Sequence, residues 1–338
     1  MSESKYNFSN RDLAIFFMVT FGFTIVMGIA MAFAYTKYNY PVDDFALVQM
    51  YYPTIGVMTA LLLNKERHKN LPMKFYKTYL SFTIVSVILV LVEIFIFHQA
   101  PSAYSTYLVL PASICLALIY FSDEKENINR FGLGFSKNIK ASIGCIVLYI
   151  ILRLCVPILI SFIFGDFNEV NITSEDLKAL ITIFLLPLSF PLDFIIFLGE
   201  EYGWRYFLQT ALQERLGKRI GVILVGFIWG IWHFPLNLFY YSPAAPFYSV
   251  INHIISCTGS AIFLGFVYMK TKDIWAVSII HFMNNSLVAL FSSSGGVNTV
   301  PNSELVLKTL IYTCIVYVPF LFSKEYRKTK EKTLNYTS

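Results

Sequence analysis

The chain contains repeated runs of about 18 or more predominantly apolar residues, and these runs restrict its fold more than any other feature. An α-helix rises about 1.5 Å per residue, so each run can cross a hydrocarbon core of about 30 Å. Charged residues make up only 14% of the chain, about half the fraction of an ordinary soluble domain. The sequence therefore predicts an all-α, polytopic integral membrane protein.

The apolar runs predict about ten transmembrane segments. The region Leu177–Leu216 is too long for one crossing. Because Pro187 and Pro191 remove backbone donors, we expect its helix to break there and to resume at about Leu192. The predicted segments are Leu13–Tyr35, Phe45–Leu63, Tyr79–Phe97, Tyr104–Phe121, Ile143–Phe164, Leu177–Leu216, Ile220–Phe239, Val250–Met269, Ile274–Phe291 and Leu305–Phe322.

The distribution of basic residues predicts the orientation of these segments, because retained basic residues mark cytoplasmic loops. With the N-terminus inside, all but four of the 26 basic residues fall on the cytoplasmic side. The four exceptions are Lys37, Arg153, Lys178 and Lys308, and the external segment Gly165–Asp176 is acidic. We therefore expect both termini in the cytoplasm. Short loops and the lack of eukaryotic targeting signals favour a bacterial plasma membrane.

The net charge of +5 is explained by this retention of basic residues, so we expect a lipid bilayer and no nucleic acid as partner. The polar start precedes a full-length apolar segment and does not resemble a cleaved signal peptide. The five cysteines lie in predicted segments without CxxC spacing. They indicate neither a disulfide framework nor a thiolate metal site.

Charged residues interrupt one of the most apolar regions, in the stretch FLGEEYGWRYF. Glu201 and Arg205 are four residues apart with the acid first, the favourable order for an ion pair within a helix. Glu200 points about 100° away and is left to face a partner or a water molecule. Because a charge in lipid is costly, ionisable residues at such positions indicate a functional site.

Residue spacing predicts which helices meet this acidic pair. Gly217, flanked by basic residues, is the expected turn to the next segment. Glu201 lies 16 residues before it and His233 lies 16 residues after it. In an antiparallel hairpin the two side chains would sit at one depth, about 24 Å from the turn, with Pro235 shifting the register by a residue or two.

A third element is HFMNN in the ninth segment, where a histidine and an asparagine four residues apart share a helical face. Three helices can therefore present polar groups to one water-filled cavity within the membrane. The candidate site residues are Glu200, Glu201, Arg205, His233, His281 and Asn285.

Each of these groups also has a structural interpretation. The acidic pair with its arginine could form a buried ion network or an ion pathway. His233 could be an interfacial hydrogen-bonded ring, and His281 with Asn285 could link helices. Their joint occurrence favours a functional site. We interpret Arg153 as a structural charge, and His253 as lying near the outer end of its segment, further from the site.

Three motifs resemble a known family. EEYGWR (Glu200–Arg205), WGIWH (Trp229–His233) and HFMNN (His281–Asn285) resemble the EExxxR, FxxxH and HxxxN/D motifs of the CPBP family. This family, also called Abi, comprises CAAX proteases and bacteriocin-processing enzymes and includes the type II CAAX prenyl endopeptidases. The resemblance covers roughly Leu186 to Leu290. Trp229 stands where the family pattern has Phe, an aromatic exchange that we expect to leave the chemistry intact.

The resemblance implies an intramembrane endopeptidase acting on a CAAX-like, leader-peptide or membrane-protein substrate. By resemblance, Glu200 and His233 would activate the attacking water. His281 and Asn285 would stabilise the oxyanion, as side-chain donors of this kind do in acyl transfer.

The resemblance also assigns Glu201 and Arg205 a supporting role in the site. It divides the chain into N-terminal transmembrane segments of unknown role (1–176), a protease core (177–292) and a last helix with a cytoplasmic tail (293–338). Oligomeric state is not predicted.

The implied chemistry requires no cofactor. Zn²⁺ is an alternative, with Glu200, His233 and His281 as three ligands and water at an open position. The HExxH motif of the usual zinc proteases is absent from the sequence. A non-enzymatic alternative also stands: a transporter, or a bacteriocin-immunity or peptide-binding protein that uses the same cavity.

Overall fold

The computed structural model describes residues 8–100, 104–164, 174–291 and 296–327. All regular secondary structure in these ranges is helical. Most of the acidic segment Gly165–Asp176 and the last basic residues of the tail lie outside the described residues. The α-helices are α1 Asn10–Tyr38, α2 Asp43–Gln49, α3 Tyr52–Leu62, α4 Met73–Phe95, α5 Tyr104–Ser122, α6 Lys125–Arg130, α7 Ile139–Phe164, α8 Ser174–Glu201, α9 Thr210–Leu216, α10 Lys218–Trp232, α11 Phe234–Leu236, α12 Pro246–Thr271, α13 Ile274–Phe291 and α14 Ser303–Val316.

Within the described residues, seven helices or helix pairs are long and apolar enough to cross a membrane. An eighth is formed if α10 and the helical turns Phe234–Tyr241 count as one span, which bends by 43° at its break. The shorter apolar helix Ile274–Leu290 does not reach the length of a full span. The predicted all-α polytopic class is confirmed, whereas the predicted count of ten segments is not.

The long region that begins at α8 differs from the expectation. The helix runs from Ser174 to Glu201 through both Pro187 and Pro191, so the predicted break is absent. The irregularity lies instead at Tyr202–Gln209, which is a π-helix that starts directly after the acidic pair. Neighbouring helices in a bundle can satisfy the backbone groups that a proline leaves free. π-helical turns occur often at functional sites.

Gly217 forms the predicted turn between α9 and α10. Its φ angle of 81° lies in the region that side chains with a Cβ avoid, which explains the glycine. The turn sends α10 back along the helices that precede it.

The loops rich in basic residues meet at one end of the bundle, which we call the basic face. Polar and basic side chains of these loops donate to carbonyl groups of neighbouring loops, as expected for a surface away from the hydrocarbon core. Hydrogen bonds join these loops in pairs: Lys74 Nζ to the Ser122 carbonyl, Ser136 Oγ to the Thr271 carbonyl, and Lys218 Nζ to the Arg327 carbonyl.

The other end of the bundle, the opposite face, contains the alternate set of loops. There the Tyr40 hydroxyl donates to the His98 carbonyl at 2.6 Å. The hydroxyls of Ser242 and Thr299 are 2.7 Å apart. The alternation of ten segments across the membrane stays a prediction.

Helices α10 and α12 pack against each other at two glycines. A Cβ at Gly226 would overlap the Cα of Thr258, and one at Gly230 would overlap the Cα of Ile254. Four-residue spacing places both glycines on one face of α10, where small residues let two helix backbones approach closely. The contact brings α12 beside the C-terminal end of α10.

Cysteine labelling tests this two-faced arrangement. Cysteine replaces either Lys65 on the basic face or Gln99 on the opposite face; both are exposed. The background lacks the five native cysteines. A membrane-impermeant maleimide added to intact cells should label position 99, and position 65 only after permeabilisation. If both positions are labelled from the same side, the two-faced fold is contradicted. If position 65 is labelled in intact cells and position 99 only after permeabilisation, the prediction that the basic face is cytoplasmic is wrong.

Candidate active site

The three motifs converge on a single cavity. Four of the candidate residues line one cavity of about 980 Å³: Glu200, His233, His281 and Asn285. Glu201 and Arg205 lie behind its wall and are fully buried. The cavity extends from Glu200 to loop residues of the opposite face.

The predicted ion pair between Glu201 and Arg205 is present. Arg205 Nε donates to Glu201 Oε2 at 2.7 Å, and both side chains have no exposed surface. The second carboxylate oxygen, Oε1, lies 2.8 Å from Nδ1 of His281. The two atoms are not aligned as a hydrogen bond, so this contact is an ion pair when the imidazole is protonated. Glu201 is therefore held between a guanidinium and an imidazole.

The imidazole that contacts Glu201 belongs to His281 on α13, whereas the hairpin count placed His233 opposite this carboxylate. The count assumed straight α-helices. The π-helix after Glu201 has a different rise per residue, and the chain bends by 43° at His233. His233 lines the cavity with Glu200, and the contact with Glu201 is made by His281 instead.

Glu200 is oriented by two indole groups. The indole N–H of Trp229 donates to Glu200 Oε2 at 2.7 Å, and that of Trp204 donates to the same oxygen at 3.2 Å. One donor comes from α10 and the other from the π-helix. None of the described residues donates to the second oxygen, Oε1. The carboxylate is thus anchored by one oxygen at the cavity wall.

Trp229 contacts four of the six candidate residues. Besides binding Glu200, its backbone carbonyl lies 2.9 Å from His233 Nδ1 and its ring packs edge-on against His281, with centroids 5.3 Å apart. The Arg205 guanidinium lies 5.0 Å from the Trp229 ring centroid. Phenylalanine would keep the ring contacts but lose the N–H donor. The indole N–H donor to Glu200 is therefore what distinguishes Trp229 from the Phe of the family pattern, and the expectation that the exchange leaves the chemistry intact stays a prediction.

His233 is held at the end of α10 by polar contacts on both sides. A carbonyl oxygen can only accept, so the contact with Trp229 places a proton on Nδ1; in the neutral ring Nε2 then has the lone pair. Asn237 donates to the His233 carbonyl at 3.0 Å, and Ser249 Oγ donates to Asn237 Oδ1 at 2.5 Å. The Trp229 carbonyl thus orients the ring, and Asn237 with Ser249 holds the backbone at this position.

His253 also belongs to this cavity, so the interpretation that placed it away from the site is wrong. Its ring centroid lies 5.1 Å from that of His233 and 4.5 Å from that of Tyr241. Close packing of α10 on α12 through Gly226 and Gly230 brings the two histidines together. The four-residue glycine spacing was the sequence signal that could have indicated this neighbour.

Asn285 lines the cavity and is exposed. Its Oδ1 accepts a hydrogen bond from the side-chain amide of Asn284 at 3.1 Å. Asn284 in turn accepts from the Tyr149 hydroxyl of α7 at 2.9 Å. Helix α13 therefore presents His281, Asn284 and Asn285 to the cavity.

No group of three or more His, Cys, Asp and Glu side chains arranged to share a metal ion occurs in the part of the chain that the structure describes. His281 Nδ1 contacts Glu201 and His233 Nδ1 contacts a carbonyl, so only Nε2 of each ring is open to the cavity.

Fold and site together define a polytopic helical membrane protein with a cavity lined by a carboxylate and histidines. Residues 180–287 match the model of the family of Rce1-like type II CAAX prenyl endopeptidases. The resemblance inferred from the three motifs is thereby confirmed for this region.

A curated relative, CAAX prenyl protease 2 of Methanococcus maripaludis, is 31% identical over 105 residues. This alignment covers 28% of the present chain and 38% of the relative, so it spans well under half of either protein. No solved structure matches the chain.

Replacing Arg205 tests the buried ion pair. Arg205→Ala leaves the Glu201 carboxylate buried without its guanidinium, and we expect a loss of about 3–5 kcal/mol of stability. A matched control is Arg130→Ala, which breaks a pair of the same spacing with Glu126 at 2.8 Å on the surface. That change should cost less than about 1 kcal/mol. Thermal unfolding in detergent measures both, and equal losses would contradict the special role of the buried pair.

Proposed function

We propose that this protein is an intramembrane endopeptidase that hydrolyses a peptide bond through an activated water molecule. The observation that carries the proposal is the Glu200 carboxylate, anchored by two indole donors at the wall of a large cavity. Two histidines line the same cavity, and the surrounding segment matches Rce1-like endopeptidases. A carboxylate with one free oxygen beside an imidazole is suited to general-base catalysis.

In the proposed mechanism, a water molecule binds between Glu200 Oε1 and His233 Nε2. Glu200 takes one proton from the water as its oxygen forms a bond to the substrate carbonyl carbon. The carbon–nitrogen bond of the tetrahedral intermediate then breaks. The proton is passed to the leaving nitrogen, so that Glu200 is again a carboxylate and a carboxylic acid and an amine are the products.

His281 and Asn285 stabilise the oxyanion in this mechanism. The site is electrically balanced when His281 is an imidazolium, because two carboxylates then face two cations, Arg205 and His281. Its Nε2–H and the amide N–H of Asn285 can donate to the developing negative charge. Glu201 and Arg205 act as positioning residues, since Glu201 contacts the His281 ring and Arg205 holds Glu201 in place.

The size and direction of the cavity support a peptide substrate. A volume of about 980 Å³ is at the upper end for small-molecule sites and accommodates several residues of a peptide. The cavity reaches Ser242, Val297 and Thr299 in loops of the opposite face. With the basic face in the cytoplasm, this direction favours a leader peptide or protein terminus presented from the non-cytoplasmic side over a cytoplasmic CAAX-like terminus.

Glu200→Gln tests the general base. The variant keeps an acceptor for both indoles, so its unfolding temperature should not change, whereas its hydrolysis rate should fall by at least about 100-fold. The assay uses protein in lipid nanodiscs with a peptide library and mass spectrometry of the fragments. Glu126→Gln, an exposed exchange of the same type, is the control. Full activity of Glu200→Gln would refute the mechanism, and a cellular effect retained without cleavage favours the peptide-binding alternative.

The mechanism proposed here proceeds without an obligatory metal ion. Exhaustive chelation should leave the rate of hydrolysis unchanged, and mass spectrometry of the purified protein should find no stoichiometric zinc. Activity that is lost on chelation and restored by zinc would refute the metal-free mechanism and leave the endopeptidase assignment intact.

Trp229→Phe tests the anchoring of Glu200. The ring contacts survive, but a hydrogen bond to a charged group is lost, which corresponds to a fall in kcat of about tenfold or more. KM should change little, because Trp229 orients the base and not the substrate. Trp204→Phe, which removes the longer of the two bonds, should have the smaller effect. Unchanged kcat in both variants would show that the indoles are only packing groups.

A further inference from the structure

Helix α12 has a row of polar side chains along the cavity that the mechanism above does not use. Asn252, Ser256 and Ser260 are spaced four residues apart, and all three line the cavity. Four-residue spacing places them on one side of the helix, with a rise of about 6 Å between neighbours. We call these three residues the polar stripe.

The side chains of the polar stripe have no hydrogen-bond partner among the described residues. A serine or threonine within a helix can satisfy its hydroxyl by donating to the carbonyl four residues earlier. Thr258 and Thr271 on the same helix do so, at 2.7 and 2.8 Å. The Asn252 Oδ1 atom is unpaired although it is closed off from solvent. Because an unpaired polar group inside a membrane protein is costly, the stripe indicates a partner that enters the cavity.

A buried hydroxyl of α14 borders the same cavity. Only 6% of Thr313 is exposed, and its Oγ1 also has no hydrogen-bond partner among the described residues. A Cβ on Gly259 would lie 3.1 Å from that oxygen, so Thr313 stands next to the turn of α12 that contains Ser260. Helix α14 lies outside the family match at 180–287. The unpaired groups therefore come from two helices and border one part of the cavity.

One end of the polar stripe lies at the proposed reaction centre. Ser260 borders a small void together with Trp229 and His281, the residues that contact the two carboxylates of the site. From Ser260 the stripe runs along the cavity towards the opposite face, because α12 begins there. Ser256 is thus about 6 Å and Asn252 about 12 Å beyond Ser260 along the helix axis.

The spacing of the polar stripe matches that of an extended peptide. Alternate residues of an extended chain present their N–H and C=O groups to the same edge, and they repeat about every 6.6 Å. Three residues of one edge therefore span about 13 Å, against about 12 Å from Ser260 to Asn252. A hydroxyl or a carboxamide can both donate and accept, which suits main-chain groups.

We propose that the polar stripe binds the main chain of an extended substrate peptide: Ser260 pairs with the residue next to the scissile bond, Ser256 with the residue two further along, and Asn252 with the residue four further along. This inference rests on the proposed endopeptidase function. It makes the substrate an extended peptide that this wall recognises through its backbone and not through its side chains. Main-chain hydrogen bonds provide affinity in the same way where a peptide adds to the edge of a sheet.

Replacement of single amides by esters tests the alternation. The probe is a decapeptide with an N-terminal fluorophore, selected from a randomised library by its binding to Glu200→Gln protein in nanodiscs of neutral lipid. Each amide of the peptide is replaced in turn by an ester, which removes the N–H donor. Fluorescence anisotropy should show binding weakened about threefold to tenfold at every second residue over a stretch of five residues, as expected for the loss of one hydrogen bond. Esters at the residues between should bind like the parent peptide.

Alanine variants in the same Glu200→Gln background assign each effect to a side chain. In Ser256→Ala protein, one of the sensitive esters should bind as well as the parent amide, because its partner is already absent. Ser260→Ala should do the same for the ester two residues closer to the scissile bond. The matched control is Thr258→Val on the same helix, whose hydroxyl donates to the Ile254 carbonyl at 2.7 Å. This control should leave every ester effect unchanged.

An ester scan without alternation would overturn the inference. An alternation that persists in both alanine variants would also overturn it, and would show that the two hydroxyls bind only water. Because the scan uses Glu200→Gln protein, its result does not depend on hydrolysis. Alternation in binding without hydrolysis by the wild type would refute the endopeptidase and support the backbone site, whereas hydrolysis without alternation would do the reverse. Failure of every library peptide to bind would overturn both proposals.

Discussion

The site depends on the contacts that neutralise the buried carboxylate of Glu201. Glu201 has no exposed surface, and an unpaired charge there would cost several kcal/mol. Arg205 occupies one of its oxygens and His281 contacts the other, at 2.7 and 2.8 Å. Because His281 belongs to α13, the same interaction that neutralises Glu201 also joins α13 to α8. It leaves the second nitrogen of the imidazole to the cavity.

Glu200, the second acid of the pair, has different partners from Glu201. This difference fits the two proposed roles, in which Glu200 is the general base and Glu201 is a positioning residue. Glu200 has indole donors on a single oxygen and no guanidinium, so it is oriented without being neutralised by a cation. Trp229 suits this position because it combines a large apolar ring with one polar N–H. Its ring lies against His281 while its backbone carbonyl orients His233. Trp229 thus contacts Glu200 and His233, which are proposed to activate the water, and His281, which is proposed to stabilise the oxyanion.

Features that depend on neighbours along the chain could be predicted from the sequence. Long apolar runs indicated the helical membrane fold, since each helix satisfies its own backbone groups. The four-residue spacing of Glu201 and Arg205 predicted their ion pair, and the glycine between basic residues predicted the turn at Gly217. The three motifs also indicated the family that residues 180–287 match. Each of these inferences needs only local geometry or order along the chain.

What the sequence by itself determined is therefore the fold class, the intrahelical ion pair, the turn and four of the polar residues that line the cavity. Only the tertiary structure decided which side chains touch: His281 on Glu201, Trp229 on Glu200, and His253 beside His233. The physical reason is that contacts between helices depend on bends, helical rise and the distance of approach. A π-helix, a 43° bend and a close α10–α12 packing each change which side chains meet, without altering the apolar pattern of the sequence.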